Sequence, residues 1–147
     1  MRIALGADHA GVALKADIKR LLDERGDVYT DFGTDSTTAV DYPDYAKKVG
    51  QAVSSGEYER GILFCGSGVG MAMAANKVSG VRAAPVVDER SALLCREHND
   101  ANVLSLGERI TPADVARRIV TIFLITPFGG GRHAPRVDKI RAMDCKA

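Results

Sequence analysis

Residues 61–77, GILFCGSGVGMAMAANK, decide the fold. The stretch opens with the apolar run GILFC, which is typical of a strand buried on both faces of a sheet. Three alternating glycines follow, and the small residues after them predict a helix. A strand that passes through a glycine loop into a helix belongs to a parallel α/β sheet. We therefore expect the flanking sequence to continue this alternation.

Strands and helices do alternate along the chain. Short apolar runs predict strands at residues 2–6, 27–33, 61–65, 81–87 and 101–107. Helical patterns lie at 11–26, around 45–53, after the glycines of 66–70, at 88–98, at 111–124, and from about 132 onward. This order predicts an α/β fold: a doubly wound, Rossmann-like sheet of five parallel strands with helices on both faces. A chain of 147 residues is expected to form a single domain over 1–147.

Local signals predict where some elements end. Gly26 is a natural stop for the first helix. Thr111 as N-cap, Pro112 at the first helical position and Asp114 in the first turn predict a helix start. Pro85 weakens the far end of the fourth strand, because proline has no N–H group to donate.

Composition excludes several classes of protein. The chain carries 20 Lys and Arg against 19 Asp and Glu, too balanced for a general binder of nucleic acid or membrane surfaces. No apolar run is long enough to span a bilayer, and Asp8 and His9 come too early for a signal peptide. Cys65, Cys95 and Cys145 form no CxxC pair, so neither a metal site nor a disulfide is expected. These features predict a cytoplasmic protein.

Ligands of parallel sheets bind at the carboxyl ends of the strands. Asp8 and His9 follow the first predicted strand, residues 65–70 the third, and residues 107–109 the fifth. We expect the loop of His98 and Asn99 at this same edge. A single histidine more often has a surface or capping role, but two histidines at one edge favour a functional one.

The glycine loop is suited to an anion. Its uncovered N–H groups, at a helix start, favour a phosphate or a developing oxyanion; the alternative is a tight turn without a ligand. The loop is neither GxxxxGK[ST] nor GxGxxG, and Met71 stands where a cysteine phosphatase needs arginine. Cys65 stands just before those N–H groups. The sequence supports two interpretations of it about equally: a reactive thiolate, or a small buried apolar residue. Cys95 and Cys145 are predicted to be unreactive.

The C-terminal helix, about 132–147, concentrates positive charge, with five basic residues against two acidic ones. Arg132 and Arg136 are four residues apart, about one helical turn. Two arginines on one side can clamp a phosphate, although a solvated basic face is the more common fate of such charges.

Several motifs together resemble ribose-5-phosphate isomerase B, whose wider family includes the galactose-6-phosphate isomerase subunits. They cover nearly the whole chain in order: GADHAG (6–11), DYP (41–43), CGSGVGMAMAANK (65–77), REHNDANVLSLGER (96–109) and GGRH (130–133) followed by an arginine. The resemblance implies a doubly wound α/β enzyme without a cofactor. It also implies a homodimer, able to pair into a homotetramer, that interconverts ribose 5-phosphate and ribulose 5-phosphate in the pentose phosphate pathway.

The resemblance implies a role for each matching residue. Cys65 is the general base, and His98 is the acid that opens the sugar ring. Ser67 moves protons between the two substrate oxygens. Met71 stands where a second branch of the family has a catalytic glutamate, which leaves Cys65 as the base. The residues that bind the enediolate are Gly66, Ser67, Gly68, Val69 and Gly70; those that bind sugar hydroxyls are Asp8 and Asn99; those that surround the phosphate are His9, Arg109, Arg132 and Arg136.

Two alternatives stay open at this point. One is the same chemistry on a six-carbon sugar phosphate, of allose or galactose; the other is a non-catalytic sugar-phosphate-binding module. The resemblance also implies an active site shared between two chains. His98 and Cys65 could face one pocket within a chain, but we favour His98, Asn99 and Arg109 from a second chain. Tyr42 and His133 receive no role.

Overall fold

The computed structural model describes residues 1–144, so Cys145 lies outside the described part. Five strands form one sheet in the order β2-β1-β3-β5-β4, and every pairing is parallel. The strands are β1 (Arg2–Ala7), β2 (Val28–Asp31), β3 (Arg60–Cys65), β4 (Ala83–Pro85) and β5 (Val103–Gly107). The predicted five-stranded parallel sheet is therefore confirmed.

The helices cover both faces of the sheet. They are α1 (Val12–Arg25), α2 (Tyr42–Ser54), α3 (Val69–Ala75), α4 (Glu89–Glu97), α5 (Ala113–Ile125) and α6 (Ala134–Ala142), with a 3-10 turn at Gly131–His133. One core cluster packs α1, α4 and α5 against the sheet, and the other packs α2 and α3 against its opposite face. This is the predicted doubly wound α/β architecture, and Gly26 ends α1 with a left-handed φ of 74°. No helix within 1–144 is both long enough and apolar enough to cross a membrane.

Side chains of β3 show how the sequence fills both faces. Ile62 and Phe64 belong to the cluster under α1, α4 and α5, whereas Leu63 and Cys65 belong to the cluster under α2 and α3. Alternate residues of a strand point to opposite faces, so a continuous apolar run is buried on both. The side chain of Cys65 therefore lies on the α3 side, at the last position of the strand.

Three local predictions need correction. Thr111 is not the N-cap of α5, which begins one residue later with Pro112 as its cap. The backbone N–H of Thr111 donates to the carbonyl of Gly107. Thr111 therefore belongs to the turn after β5, and the helix starts after it. The strand β4 spans only 83–85 at the edge of the sheet, shorter than 81–87 and ending at Pro85. Arg132 lies in the 3-10 turn, and only Arg136 lies in α6.

Candidate active site

Residues 65–70, here named the Cys65 loop, join β3 to α3 at the carboxyl edge of the sheet. The Sγ of Cys65 accepts a hydrogen bond from the backbone N–H of Gly68 at 3.1 Å, and only 4% of the residue is exposed. Gly68 has a φ of 80°, a conformation that favours glycine. The hydroxyl of Ser67 accepts from the N–H of Val69 at 3.2 Å. The loop thus holds a thiol and a hydroxyl beside the start of a helix.

The end of β5 supports this loop. The hydroxyl of Ser105 donates to the carbonyl of Gly68 at 2.6 Å, and the N–H of Arg109 donates to the carbonyl of Gly66 at 3.0 Å. A Cβ added to Gly66 would lie 3.1 Å from Nη1 of Arg109. The guanidinium of Arg109 therefore lies against the Cys65 loop of its own chain, whereas from the sequence we favoured a second chain as its source.

Tyr42 covers the other end of the Cys65 loop. A Cβ added to Gly70 would lie 2.8 Å from the Tyr42 ring and 3.1 Å from its hydroxyl oxygen, so the ring lies directly over this glycine. Tyr42 is 41% exposed, at the start of α2. No sequence signal places this ring on Gly70, because the contact depends on how α2 packs against α3.

Asp8 and His9 lie beside the Cys65 loop, as predicted. The N–H of Asp8 donates to the carbonyl of Phe64 at 3.1 Å, next to Cys65 in the chain. One carboxylate oxygen of Asp8 accepts from the N–H of Ala10 at 2.9 Å. The Nδ1 of His9 accepts from the N–H of Val40 at 3.2 Å, which places the proton of a neutral imidazole on Nε2.

A buried lysine anchors the segment between β2 and α2, which contacts His9 through Val40. The ammonium group of Lys15 is 1% exposed and contacts Asp31 Oδ1 at 2.8 Å, Asp35 Oδ1 at 2.9 Å and the carbonyl of Thr34 at 2.6 Å. Burial acts to raise the pKa of Asp31, but the hydrogen bonds from Lys15 and the Gly33 N–H outweigh it and lower that pKa. The segment before α2 is thereby anchored at the carboxyl edge.

The remaining predicted residues meet elsewhere, in a pocket of about 360 Å³ here named the His98 pocket. His98 caps the C-terminal end of α4, and its ring stacks on His133 with centroids 4.1 Å apart. Burial, together with the charges of His98, Arg132 and Arg136, lowers the pKa of His133. The pocket is lined by His98, Asn99, Arg132, His133, Arg136, Val137 and Ile140. Sequence analysis missed His133, whose only signal is its place next to Arg132.

The Cys65 loop and the His98 pocket lie at opposite edges of the sheet. Cys65 pairs with Gly107, the last residue of β5, whereas His98 comes before the first residue of β5. Five residues of strand span about 16 Å. The expectation that His98 and Asn99 lie at the carboxyl edge is therefore wrong, because α4 runs back against the strands. One chain does not bring His98 to Cys65.

Other candidate groups play no part in these two sites. Cys95 is buried, and desolvation raises the pKa of its thiol to about 11, which agrees with the predicted unreactive cysteine. Met71 is fully buried in the core cluster under α2 and α3. Within 1–144, no three His, Cys, Asp or Glu side chains are grouped as metal ligands would be.

Comparisons with known proteins give consistent results. A family model described as Ribose/Galactose Isomerase matches residues 3–140. The chain is 46% identical to ribose-5-phosphate isomerase B of Escherichia coli over 97% of this chain and 96% of that protein. It is similar to the structure of Clostridium thermocellum ribose-5-phosphate isomerase B, with a TM-score of 0.96, 50% identity and 97% of each chain covered. It is also similar to Mycoplasma genitalium ribose-5-phosphate isomerase B with bound ribulose 5-phosphate, with a TM-score of 0.92, 43% identity, and 96% of this chain and 94% of that one covered.

Proposed function

Because this chain belongs to the ribose/galactose isomerase family, as its motifs predicted, we propose that it interconverts D-ribose 5-phosphate and D-ribulose 5-phosphate through an enediolate, without a cofactor. The observation that carries the proposal is the thiol of Cys65 beside the N–H of Gly68. A carbon-bound proton moves only when a base is positioned next to donors that stabilise the developing oxyanion. The Cys65 loop supplies both. The bound ribulose 5-phosphate of the Mycoplasma genitalium relative agrees with this substrate.

The proton transfer follows from the order of groups in the loop. Cys65, as thiolate, takes the proton from C2 of the open-chain aldose, and negative charge develops on O1. N–H groups of residues 66–70 bind that oxygen, those of Gly68 and Val69 after leaving the Cys65 sulfur and the Ser67 hydroxyl, which are their acceptors in the free chain. The hydroxyl of Ser67 passes a proton from O2 to O1, and Cys65 returns its proton to C1. The product is the ketose, and the thiolate is restored.

Phosphate and sugar binding use the surrounding polar groups. His9 presents Nε2–H because Val40 occupies its Nδ1, and an N–H is the group that a phosphate oxygen needs. Arg109 lies beside Gly66 and supplies a guanidinium near the same loop. One carboxylate oxygen of Asp8 accepts a hydrogen bond from the N–H of Ala10. We assign the other oxygen to bind a sugar hydroxyl.

The ring-opening half of the site comes from a second chain in this proposal. His98 would open the furanose, Asn99 would bind a hydroxyl, and Arg132 and Arg136 would clamp the phosphate. Support comes from the distance between His98 and Cys65, which lie about a strand's length apart in one chain. In a two-fold dimer, the carboxyl edge of one chain can lie against the amino edge of the other, so the two residues come together. Arg109 is reassigned to the chain that supplies Cys65.

The surface between the two half-sites also supports a dimer. The helix α3 begins at the Cys65 loop and runs toward the opposite edge of the sheet. Val69 and Met73, one turn apart on this helix, are 47% and 65% exposed. Large exposed apolar side chains next to each other are typical of surfaces that pair. A homodimer, its further pairing into a tetramer and a cytoplasmic location stay predictions.

A substrate panel tests the proposed function. Purified protein is assayed for ketose formation from ribose 5-phosphate, allose 6-phosphate and galactose 6-phosphate. We expect the highest kcat/KM with ribose 5-phosphate. A higher kcat/KM with a six-carbon sugar phosphate would show that the enzyme catalyses the same isomerisation on that substrate instead. Binding of all three without turnover would instead favour a non-catalytic module.

A further inference from the structure

Asp100 follows His98 and Asn99 directly and turns the chain sharply. Among residues 1–144, it is the one non-glycine residue with a positive φ, of 48°. Aspartate and asparagine tolerate this left-handed conformation better than other side chains. The turn leads the chain from the end of α4 back to β5, and it brings the carboxylate of Asp100 into a cluster of arginines.

Three arginines from separate parts of the fold contact this one carboxylate. Arg96, in α4, lies with Nη1 2.9 Å from Oδ1 of Asp100. Arg82, just before β4, lies with Nη2 3.2 Å from Oδ2. Arg141, in α6, lies with Nη2 3.3 Å from Oδ2. The carboxylate therefore connects the loop of His98 to the helix that carries Arg136.

The backbone of the loop is held by the same arginines. The Nε of Arg82 donates to the carbonyl of Asp100 at 2.9 Å, and Nη1 of Arg96 donates to the carbonyl of Ala101. Arg96 also donates from Nε to the carbonyl of Thr126, directly after α5, at 3.1 Å. The chain that leaves Thr126 leads to the 3-10 turn and α6.

The charges explain why the carboxylate matters. Arg96 is 2% exposed, and Asp100 is its one carboxylate partner among residues 1–144. A buried guanidinium that loses such a partner is strongly destabilised. Burial lowers the pKa of the Arg82 guanidinium, and the charge of Asp100 opposes that shift. Replacing the carboxylate with a neutral group leaves the three guanidiniums to repel one another, which separates the elements that carry them.

We propose that Asp100 is a positioning residue, which holds the loop of His98 and Asn99 and the helix α6 in the one arrangement that forms the His98 pocket. Asp100 does not line that pocket, so it acts through its neighbours. This inference rests on the proposed function, since it concerns how the groups for ring opening and for phosphate binding are held in place relative to each other.

Asp100→Asn tests the proposal, because asparagine keeps the shape of the side chain and tolerates the same φ but carries no charge. Two reactions are followed: isomerisation of ribose 5-phosphate, which needs ring opening, and solvent deuterium exchange into ribulose 5-phosphate, which does not. Asp138→Asn is the matched control, since Asp138 also pairs with Arg141, at 3.2 Å, but on the exposed surface.

We expect Asp100→Asn to lower kcat/KM for ribose 5-phosphate by about 10–100-fold, as a small misplacement of reacting groups does. The KM of both sugars should rise, while exchange at saturating ribulose 5-phosphate stays near the wild-type rate. Asp138→Asn should keep wild-type kinetics. Two results would overturn the proposal. One is a lower melting temperature of Asp100→Asn in which both reactions slow by the same factor and KM is unchanged. The other is wild-type kinetics in Asp100→Asn.

If Asp100→Asn does not fold, Arg141→Gln removes the link of Asp100 to α6, together with the exposed pair of Arg141 and Asp138 that the control variant tests alone. It leaves the pairs of Asp100 with Arg96 and Arg82. A raised KM for both sugars is then the expected result, and an unchanged KM would overturn the proposal. Failure of the proposed function is recognised separately, because the wild-type protein itself would then show no isomerisation of ribose 5-phosphate.

Discussion

Cys65 carries most of the proposed chemistry, and its surroundings explain why a cysteine can do so. It is the last residue of a strand buried on both faces, so its side chain is fixed by core packing. The N–H of Gly68 points at its sulfur and favours negative charge there. Cys95 lies in the other core cluster, away from this loop, and burial there raises the pKa of its thiol to about 11.

Replacing Cys65 with alanine should remove the base and leave the binding groups in place. We expect kcat for ribose 5-phosphate to fall by about 10²–10⁴-fold, the usual contribution of a general base. Binding of ribulose 5-phosphate, measured by calorimetry, should persist. Cys95→Ala makes the same chemical change at a buried cysteine outside the site, and it should keep wild-type turnover. Near-normal turnover in Cys65→Ala would show that another group is the base.

At the scale of elements, periodic patterns predicted the fold and the carboxyl-edge residues well. The run GILFC is buried on both faces, and Asp8, His9 and the Cys65 loop lie together as expected. The two failures have different causes. The turn after β5 moved the start of α5 past Thr111, and the direction of α4 put His98 at the other edge. The first is a backbone turn that the side-chain cap signals do not show, and the second follows from the fold itself, because a helix between two parallel strands runs back to their amino ends.

The C-terminal element gives a prediction of its own. Arg132, in the 3-10 turn, and Arg136, in α6, are exposed and line the His98 pocket, whereas Lys139 of α6 is exposed and lines no part of that pocket. Arg132→Ala and Arg136→Ala should each raise KM more than they lower kcat, because phosphate contacts are alike in ground and transition states.

The expected loss in those two variants is about 1.5–3 kcal/mol for each charge-assisted bond, read from kcat/KM. Lys139→Ala is the matched control and should leave both constants unchanged. If both arginine variants kept wild-type KM, Arg132 and Arg136 would belong to a solvated basic surface rather than to a phosphate clamp.

At the scale of the whole molecule, one chain holds two half-sites that cannot meet within it. The proposed base, the loop donors and Arg109 lie at the carboxyl edge, and the proposed acid and phosphate clamp lie at the amino edge. About 16 Å of strand separates them. The proposed two-fold dimer would pair each half with its complement and form two complete sites, so assembly and activity should be inseparable.

Mixing two inactive variants tests this central claim most directly. Cys65→Ala and His98→Asn, one of them affinity-tagged, are unfolded together, refolded, and assayed with ribose 5-phosphate. In a shared site, a chain with intact Cys65 can meet a chain with intact His98, and random pairing should restore roughly a quarter of wild-type activity. Recovery of both chains through the single tag shows that mixed dimers form. Mixed dimers that stay inactive would contradict the shared site.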